Sequence, residues 1–281
     1  MRRVVFSILI ATLLAACATP VETPMQPSTA ASATRTHAFA MTAKRTGLKY
    51  VVLVSEPLDA LPAGKTFPAI YVTDGNWYFG MATDSVRAQF IGGSMDQTFV
   101  VAIAYPDPRF ESLASRREQD LVHKPVLGGR GMMGGGGEDF LAFLTEEVRP
   151  FIEQRFPIDR QRTVLAGQSL GGLFAANVLL SRPDSFSGYL IGSPSMWADP
   201  SLFAAARNFT AGAGHRVYIG VGGAESPTMR SNAKNLAEAL SAPSTGLTVE
   251  NAELARHSHA TMQGAWFATG LYSLLPRQAA D

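Results

Sequence analysis

The segment G-Q-S-L-G at residues 167–171 contains a serine whose surroundings suit nucleophilic chemistry. A serine hydroxyl attacks a carbonyl carbon when a base removes its proton and N–H groups stabilise the resulting oxyanion. Ser169 follows a β-type run, RTVLAG (162–167), and precedes a helical run, GGLFAANVLLS (171–181). A strand, a sharp turn and a helix in that order lift a serine above the end of a sheet. The context therefore predicts that Ser169 is a nucleophile on such a turn.

Two histidines follow the last β-type run of the chain (247–254) and are candidates for the base that activates Ser169. On a sheet of this kind the base comes after the acid in chain order. His215 instead opens a β-type run and is interpreted as structural. Of His257 and His259, one is expected to reach the serine, and the spacing leaves both open. No third ligand cluster accompanies the pair, so no metal site is predicted.

Glu225 lies where the carboxylate that orients such a base is expected. It comes directly after the β-type run HRVYIGVGG (215–223), between the serine and the two histidines in chain order. Asp199 and Glu250 are the alternatives, the first in a predicted loop and the second inside a predicted strand. The order of residue types therefore indicates a serine, glutamate and histidine acting together.

Strands and helices alternate along the part of the chain that positions these residues. Continuous apolar runs at 67–75 and 98–106 suit strands buried on both faces of a parallel sheet. Runs at 37–43 and 48–57 predict an opening antiparallel hairpin. The pattern predicts an α/β fold, with a mainly parallel central sheet and helices on both faces. Further strands are predicted at 162–167, 187–193, 215–223 and 247–254, and helices at 140–152 (broken near Pro150), 171–181, 229–241 and 261–275.

A glycine-rich segment, residues 128–137, contains the pattern G-x-G-x-x-G at 129–134. A dinucleotide site needs a strand directly before that pattern and an acid after the next strand, and neither is evident. The segment is predicted to be a surface loop, and no cofactor is expected. Met132 and Met133 would make it either an adaptable apolar lid or a plain flexible connection.

The first residues have the pattern of an export signal. Met1-Arg2-Arg3 precedes a thirteen-residue apolar run, about 20 Å as a helix, which is too short to span a bilayer. The run ends before Cys17 in a sequence that resembles the lipobox of bacterial lipoproteins. We therefore expect a signal peptide at 1–16, an acylated Cys17, a flexible tether at 17–36 and a catalytic domain at 37–281. That implies a lipid-anchored protein of the periplasm or cell surface, with the outer membrane favoured.

The composition excludes several other classes of protein. With 24 Lys and Arg against 23 Asp and Glu, the net charge of +1 argues against a dedicated nucleic-acid binder. The chain has one cysteine, so neither an intramolecular disulfide nor a cysteine zinc cluster can form within it. At 46% hydrophobic residues, the 281-residue chain can bury a sizeable core.

Much of the chain resembles the Putative esterase family of α/β hydrolases, which includes esterase-D-like enzymes, siderophore trilactone esterases and mycolyltransferases. The resemblance favours the periplasmic trilactone-esterase branch and implies the α/β-hydrolase fold. The matching segments cover most of residues 46–275 and are 46–57, 67–75, 116–120, 138–156 and 162–197, followed by VYIGVGGAES and HSHATM.

The resemblance also implies roles for individual residues. The family's acid is a glutamate in a G-x-x-E turn, which is Glu225 here, and a Gly-Leu pair about eleven residues after the base selects His259. The oxyanion would bind the backbone N–H groups of Leu170 and Asn76. Arg117, with Asp120, matches a family R-x-x-D pattern that implies an internal ion pair beside the pocket or an anion-binding arginine.

Two aromatic residues and three connecting segments are expected to shape the pocket. Trp77 and Trp197 come just after predicted strand ends, where side chains line a site. The segments 76–96, 107–137 and 197–214 are predicted to be loops that set specificity.

These patterns together predict a serine esterase that hydrolyses carboxylic esters through an acyl-enzyme. A siderophore trilactone is one candidate substrate. Two alternatives remain open at this point. The first is an acyltransferase that passes the acyl group to an alcohol, and the second is an inactive, surface-anchored binding protein. The expected partners are a small-molecule ester and, through Cys17, a membrane.

Overall fold

The structure, a computed structural model, describes residues 35–210 and 214–278. The predicted signal peptide, Cys17 and the predicted tether up to residue 34 lie outside the described residues. Within the described ranges, no helix is both long enough and apolar enough to cross a bilayer. The expected domain boundaries and lipid anchor stay predictions.

Eight of the ten strands in the described part of the chain form one mostly parallel sheet. The strands are β1 (Thr36–Thr42), β2 (Lys49–Ser55), β3 (Phe67–Val72), β4 (Phe99–Ala104), β5 (Val126–Gly128), β6 (Gly131–Met133), β7 (Ile158–Gln168), β8 (Gly188–Gly192), β9 (Arg216–Gly222) and β10 (Thr248–Leu254). The order across the main sheet is β1-β2-β4-β3-β7-β8-β9-β10. Within this main sheet, the β1–β2 and β2–β4 pairs are antiparallel and the other pairs are parallel. The predicted α/β fold with an N-terminal antiparallel hairpin is confirmed.

Helices cover both faces of this sheet. They are α1 (Gly75–Ile91), α2 (Phe110–Asp120), α3 (Gly137–Ala142), α4 (Arg149–Glu153), α5 (Leu170–Ser181), α6 (Ser201–Arg207), α7 (Pro227–Leu240) and α8 (Gln263–Leu274). Helices α1 and α8 pack in one apolar cluster with alternate residues of β3 and β4. Helices α5, α6 and α7 pack in the other cluster, with the opposite residues of the same strands. Because both faces are covered, every residue of β3, β4 and β8 is buried, as their continuous apolar runs predict.

The helix predicted over 140–152 is interrupted before Pro150. Helix α3 ends at Ala142, a π-helical segment occupies Phe143–Val148, and α4 begins at Arg149. A proline has no N–H to donate, and its ring fills space in the preceding turn. The regular pattern of α-helical hydrogen bonds therefore cannot continue through Pro150, and the π-helical segment lies shortly before it.

The three segments predicted to be loops contain regular structure, which corrects that expectation. Helix α1 lies in 76–96, α2 and the β5–β6 hairpin lie in 107–137, and α6 lies in 201–207. Helix α1 carries two glycines and several aromatic or β-branched residues, which are weak helix formers. Its packing against α8, which a local pattern does not reveal, stabilises it.

The glycine-rich segment is largely a hairpin instead of an irregular surface loop. Strands β5 and β6 pair antiparallel around a turn at Gly129 and Arg130. Met133, in β6, is buried in the apolar core, whereas Leu127 and Met132 are exposed. Of the two methionines proposed for a lid, only Met132 is therefore free to contact a ligand.

Candidate active site

Ser169 lies on a sharp turn between β7 and α5. Its backbone has φ 62° and ψ −117°, a strained conformation for a residue with a side chain. A Cβ atom at Gly167 would overlap the carbonyl group of Gly171, so the turn requires glycine there. A Cβ atom at Gly171 would overlap Thr73 Oγ1, at the end of β3. The strand, turn and helix predicted around Ser169 are all present.

Two backbone N–H groups predicted to stabilise an oxyanion lie at helix starts. Leu170 is the first residue of α5 and Asn76 the second of α1, so their N–H groups have no acceptor within the helix. The Asn76 side chain donates to the Tyr105 carbonyl at 3.0 Å and accepts from its N–H at 2.7 Å, which attaches α1 to the end of β4. Leu170 lines the same cleft as Ser169, whereas Asn76 is not among the residues that line it.

His259 and Glu225 form a hydrogen-bonded pair at this edge of the sheet. His259 Nδ1 lies 2.8 Å from Glu225 Oε2. The other carboxylate oxygen accepts from Ser193 Oγ at 2.5 Å and from the Gly222 N–H at 2.9 Å. Burial alone raises the pKa of Glu225, but these hydrogen bonds outweigh it and lower the pKa below its usual value. The ionised carboxylate accepts a hydrogen bond from the Nδ1–H group, so the imidazole keeps a lone pair at Nε2.

The alternative residues lie away from this pair. His257 Nδ1 is 2.9 Å from the Thr261 carbonyl, and His215 is paired with Asp184. Asp199 lies 3.2 Å from Lys124 Nζ, and Glu250 is exposed on the edge strand β10. The geometry therefore brings together Glu225 and His259, not the other candidates for acid and base.

Ser169 and His259 line the same cleft, and no hydrogen bond joins them in the described structure. Ser169 Oγ lies 3.3 Å from Ser195 Oγ. His259 Nε2 lies 3.3 Å from Gln168 Nε2. Catalytic hydrogen bonds are often long or absent in a free enzyme and tighten only when substrate binds.

An open cleft of about 570 Å³ contains these groups. Trp197, about half exposed, lines it as predicted. Trp77 does not line it, and instead packs against Arg117 and Phe110 behind the cleft wall. The lining residues are Arg117, Glu118, Ser169, Leu170, Ser195, Trp197, Ala224, Glu225, Ser226, Met229, Ser258 and His259.

Arg117 forms a two-pronged ion pair with Asp74, a residue that the sequence analysis did not select. Its Nε and Nη2 atoms each donate at 2.9 Å. Burial alone lowers the pKa of Arg117, but the Asp74 carboxylate outweighs it and raises the pKa. Asp120 is not the partner, because it binds the Tyr50 hydroxyl at 2.9 Å and Arg116 at 3.4 Å. The expected internal ion pair exists, with a different acid.

Four residues at the site, Asp74 among them, were not predicted from the sequence; the others are Gln168, Ser193 and Ser195. All four lie at or just beyond the carboxyl ends of β3, β7 and β8, which are neighbouring parallel strands. That position is the signal that could have identified them.

Within 35–210 and 214–278, no group of three His, Cys, Asp or Glu side chains is arranged to hold a metal ion.

Comparison with known proteins adds the following similarities. Residues 43–271 match the profile of a family described as Putative esterase. A siderophore enterobactin esterase from Emericella nidulans is 38% identical over 211 residues, 68% of this chain and 67% of that protein. Ferri-bacillibactin esterase BesA from Bacillus subtilis is 34% identical over 182 residues, 60% of this chain and 62% of that protein. The chain thus matches about two thirds of the length of these relatives.

Two solved structures share the fold over nearly their whole length. Siderophore hydrolase EstA from Aspergillus nidulans superposes with a TM-score of 0.76 and 29% identity, over 88% of this chain and 96% of that one. The BES protein from Bacillus cereus superposes with a TM-score of 0.75 and 26% identity, over 92% of this chain and 99% of that one.

Proposed function

The chain belongs to the Putative esterase family, and we propose that it is a serine esterase that hydrolyses siderophore esters of the trilactone type. The single observation that carries the serine mechanism is the shared cleft. Ser169 on its strained turn and the Glu225–His259 pair line the same cavity. The names of the relatives, which are siderophore esterases, support ester hydrolysis and this class of substrate.

In the proposed mechanism, Ser169 Oγ attacks the ester carbonyl carbon while His259 Nε2 takes the hydroxyl proton. Glu225 holds the imidazole in the required tautomer and stabilises the imidazolium. The N–H groups of Leu170 and Asn76 stabilise the oxyanion. The protonated imidazole then gives its proton to the leaving alkoxide. Water, deprotonated by the same imidazole, cleaves the acyl-enzyme and releases the acid.

The shape and lining of the cleft suit a bulky ester with aromatic or anionic groups. The cleft is open and about 570 Å³, and it carries the indole of Trp197. Arg117 uses two of its nitrogens on Asp74, and its Nη1 atom has no recorded partner among the described residues. We propose that this nitrogen binds an anionic oxygen of the substrate. The lipid anchor at Cys17 and the periplasmic or surface location remain proposals that rest on residues 1–36 of the sequence.

Replacing the nucleophile tests the proposal. Ser169→Ala should remain folded and lose at least about 10³-fold in kcat on p-nitrophenyl acyl esters and on trilactone siderophores, because it lacks the hydroxyl that forms the acyl-enzyme in the proposed mechanism. Labelling by a fluorophosphonate probe, followed by mass spectrometry, should modify Ser169 in the wild type and fail in the variant.

Ser231→Ala, on the exposed face of α7, is the matched control and should keep full activity. Undiminished turnover by a folded Ser169→Ala would contradict the serine mechanism. Turnover of simple esters without any release from a trilactone would contradict the proposed substrate class alone.

A further inference from the structure

A buried group of polar side chains lies behind His259. It consists of Tyr78 in α1, Gln168 at the end of β7 and Gln263 at the start of α8. Gln168 is only 2% exposed. A Cβ atom at Gly192, its neighbour on β8, would lie 3.0 Å from Gln168 Cγ, so the glycine leaves room for this side chain. Buried polar groups that are all hydrogen-bonded hold their partners in one arrangement.

The hydrogen bonds determine which way the Gln168 amide faces. The Tyr78 hydroxyl donates to Gln168 Oε1 at 2.7 Å. Burial raises the pKa of Tyr78 to about 12, so the phenol stays protonated as a donor. The amide nitrogen therefore points the other way, where it donates to the His259 carbonyl at 3.1 Å and lies 3.3 Å from His259 Nε2.

An amide nitrogen is only a donor, so the ring atom that faces it must be the acceptor. His259 Nε2 therefore carries a lone pair, and the ring proton lies on Nδ1, where Glu225 Oε2 accepts it at 2.8 Å. This is the tautomer that can take a proton from a serine hydroxyl. Gln263 also donates to the His259 carbonyl, at 2.8 Å, but it is not recorded in contact with the ring.

We propose that Gln168 is a positioning residue that holds His259 in its reactive tautomer and favours the neutral imidazole. The inference rests on the proposed esterase function, which assigns His259 as the base. Because the amide donates to Nε2, protonation of that atom breaks a favourable contact and places two N–H groups face to face. In the resting site Gln168 occupies the lone pair, and Ser169 takes its place when substrate binds.

The charged groups around the imidazole determine the sign of the effect. Glu225 is the charged group in contact with the ring, and it favours the imidazolium. Arg256 and His257 lie on the same loop, and Arg117 and Glu118 also line the cleft. Gln168 favours the neutral imidazole and so acts against the effect of Glu225. The acid limb of the pH–rate profile therefore lies at a lower pH with the amide present than without it.

The matched pair of variants is Gln168→Leu and Gln263→Leu, since both lose a bond to the His259 carbonyl and only the first loses the ring contact. Gln168→Leu should lower kcat about 10-fold with KM little changed. It should also shift the acid limb of the kcat/KM profile to higher pH, by about 0.5–1 unit. Gln263→Leu should leave the position of that limb unchanged. Gln168→Glu should move the limb up further, by about 1–3 units, because a carboxylate would face Nε2.

Nitrogen-15 spectra of the five histidines give a second readout that does not need activity. His259 in the wild type should show a protonated Nδ1 and an unprotonated Nε2, and Gln168→Leu should show a mixture of tautomers. Equal losses of kcat in the two leucine variants, with no movement of the acid limb, would overturn the proposal. A wild-type His259 protonated on Nε2 would also overturn it. An inactive wild type with the expected tautomer would contradict the esterase function alone.

Discussion

Three hydrogen-bond donors converge on the Glu225 carboxylate, and together they explain how a glutamate can be both buried and ionised. His259 donates to one oxygen, while Ser193 and the Gly222 N–H donate to the other. Because these bonds favour the charged form, the pKa of Glu225 is lowered in spite of burial. The carboxylate therefore stays charged at neutral pH and remains able to stabilise an imidazolium.

Glu225→Gln should reduce kcat by about 10³–10⁴-fold while the protein stays folded. The amide keeps the shape of the side chain, but it removes the charge and permits the wrong tautomer of His259. Steady-state kinetics on an acyl ester would measure the loss. Glu253→Gln, which removes an exposed carboxylate paired with Arg230, should change kcat by less than about 2-fold. A Glu225→Gln enzyme within a few-fold of wild type would indicate that a serine and a histidine are sufficient.

Helix α8 shows how closely one element can pack on the sheet at a single residue. Its residue Gly270 lies against Leu190 of β8 and Tyr218 of β9, with no room for a Cβ atom. Gly264, one and a half turns earlier in the same helix, has nothing within 4 Å of the equivalent position. The two glycines thus differ in packing, although they share a helix and a residue type.

Gly270→Ala should lower the free energy of unfolding by about 1–3 kcal/mol, because the added methyl group forces Leu190 and Tyr218 apart. Gly264→Ala should leave it unchanged or raise it by up to about 1 kcal/mol, since alanine loses less backbone entropy in a helix. Urea unfolding followed by circular dichroism would measure both. Equal effects of the two substitutions would show that α8 does not pack on the sheet in this way.

At the scale of the whole molecule, buried groups couple stability to pH. His123 stacks on Phe174 with ring centroids 5.4 Å apart, and neither of its ring nitrogens has a hydrogen-bond partner among the described residues. Burial lowers the pKa of His123 to about 4 from an ordinary value of 6.5, although Asp199 nearby opposes the shift. The folded protein therefore keeps this imidazole neutral where the unfolded chain would protonate it.

The sign of the resulting pH dependence follows from that difference. Above pH 6.5 both states hold a neutral imidazole, and below it the unfolded state binds a proton that the folded state does not bind until about pH 4. His123 should therefore cost about 3 kcal/mol of stability as the pH falls through this window. His123→Phe should remove that part of the slope and lose no stability at pH 7. Urea unfolding between pH 4 and 7.5 tests this, and identical slopes in both proteins would contradict it.

Local patterns alone predicted the elements of the sheet and the sharp turn that carries Ser169. The sequence runs that form β3, β4, β7, β8 and β9 are apolar because both faces of these strands are covered. Their residue types therefore indicate that they are buried. Ser169 was also predicted from a local pattern, because a glycine-flanked serine between a strand and a helix can be recognised without reference to distant residues. Helices α1, α2 and α6 were missed because their stability depends on packing against other elements.

Tertiary structure decided which distant residues meet. From the residues alone both His257 and His259 were candidates for the base, and only the fold shows that the second contacts Glu225 while the first binds the Thr261 carbonyl. The pairing of Arg117 with Asp74, and the contact between the Gln168 amide and the imidazole, join segments far apart in the chain. Hydrophobic periodicity records which face of an element is buried, but not which neighbour covers it. The contacts that would carry catalysis therefore follow from the order of strands in the sheet.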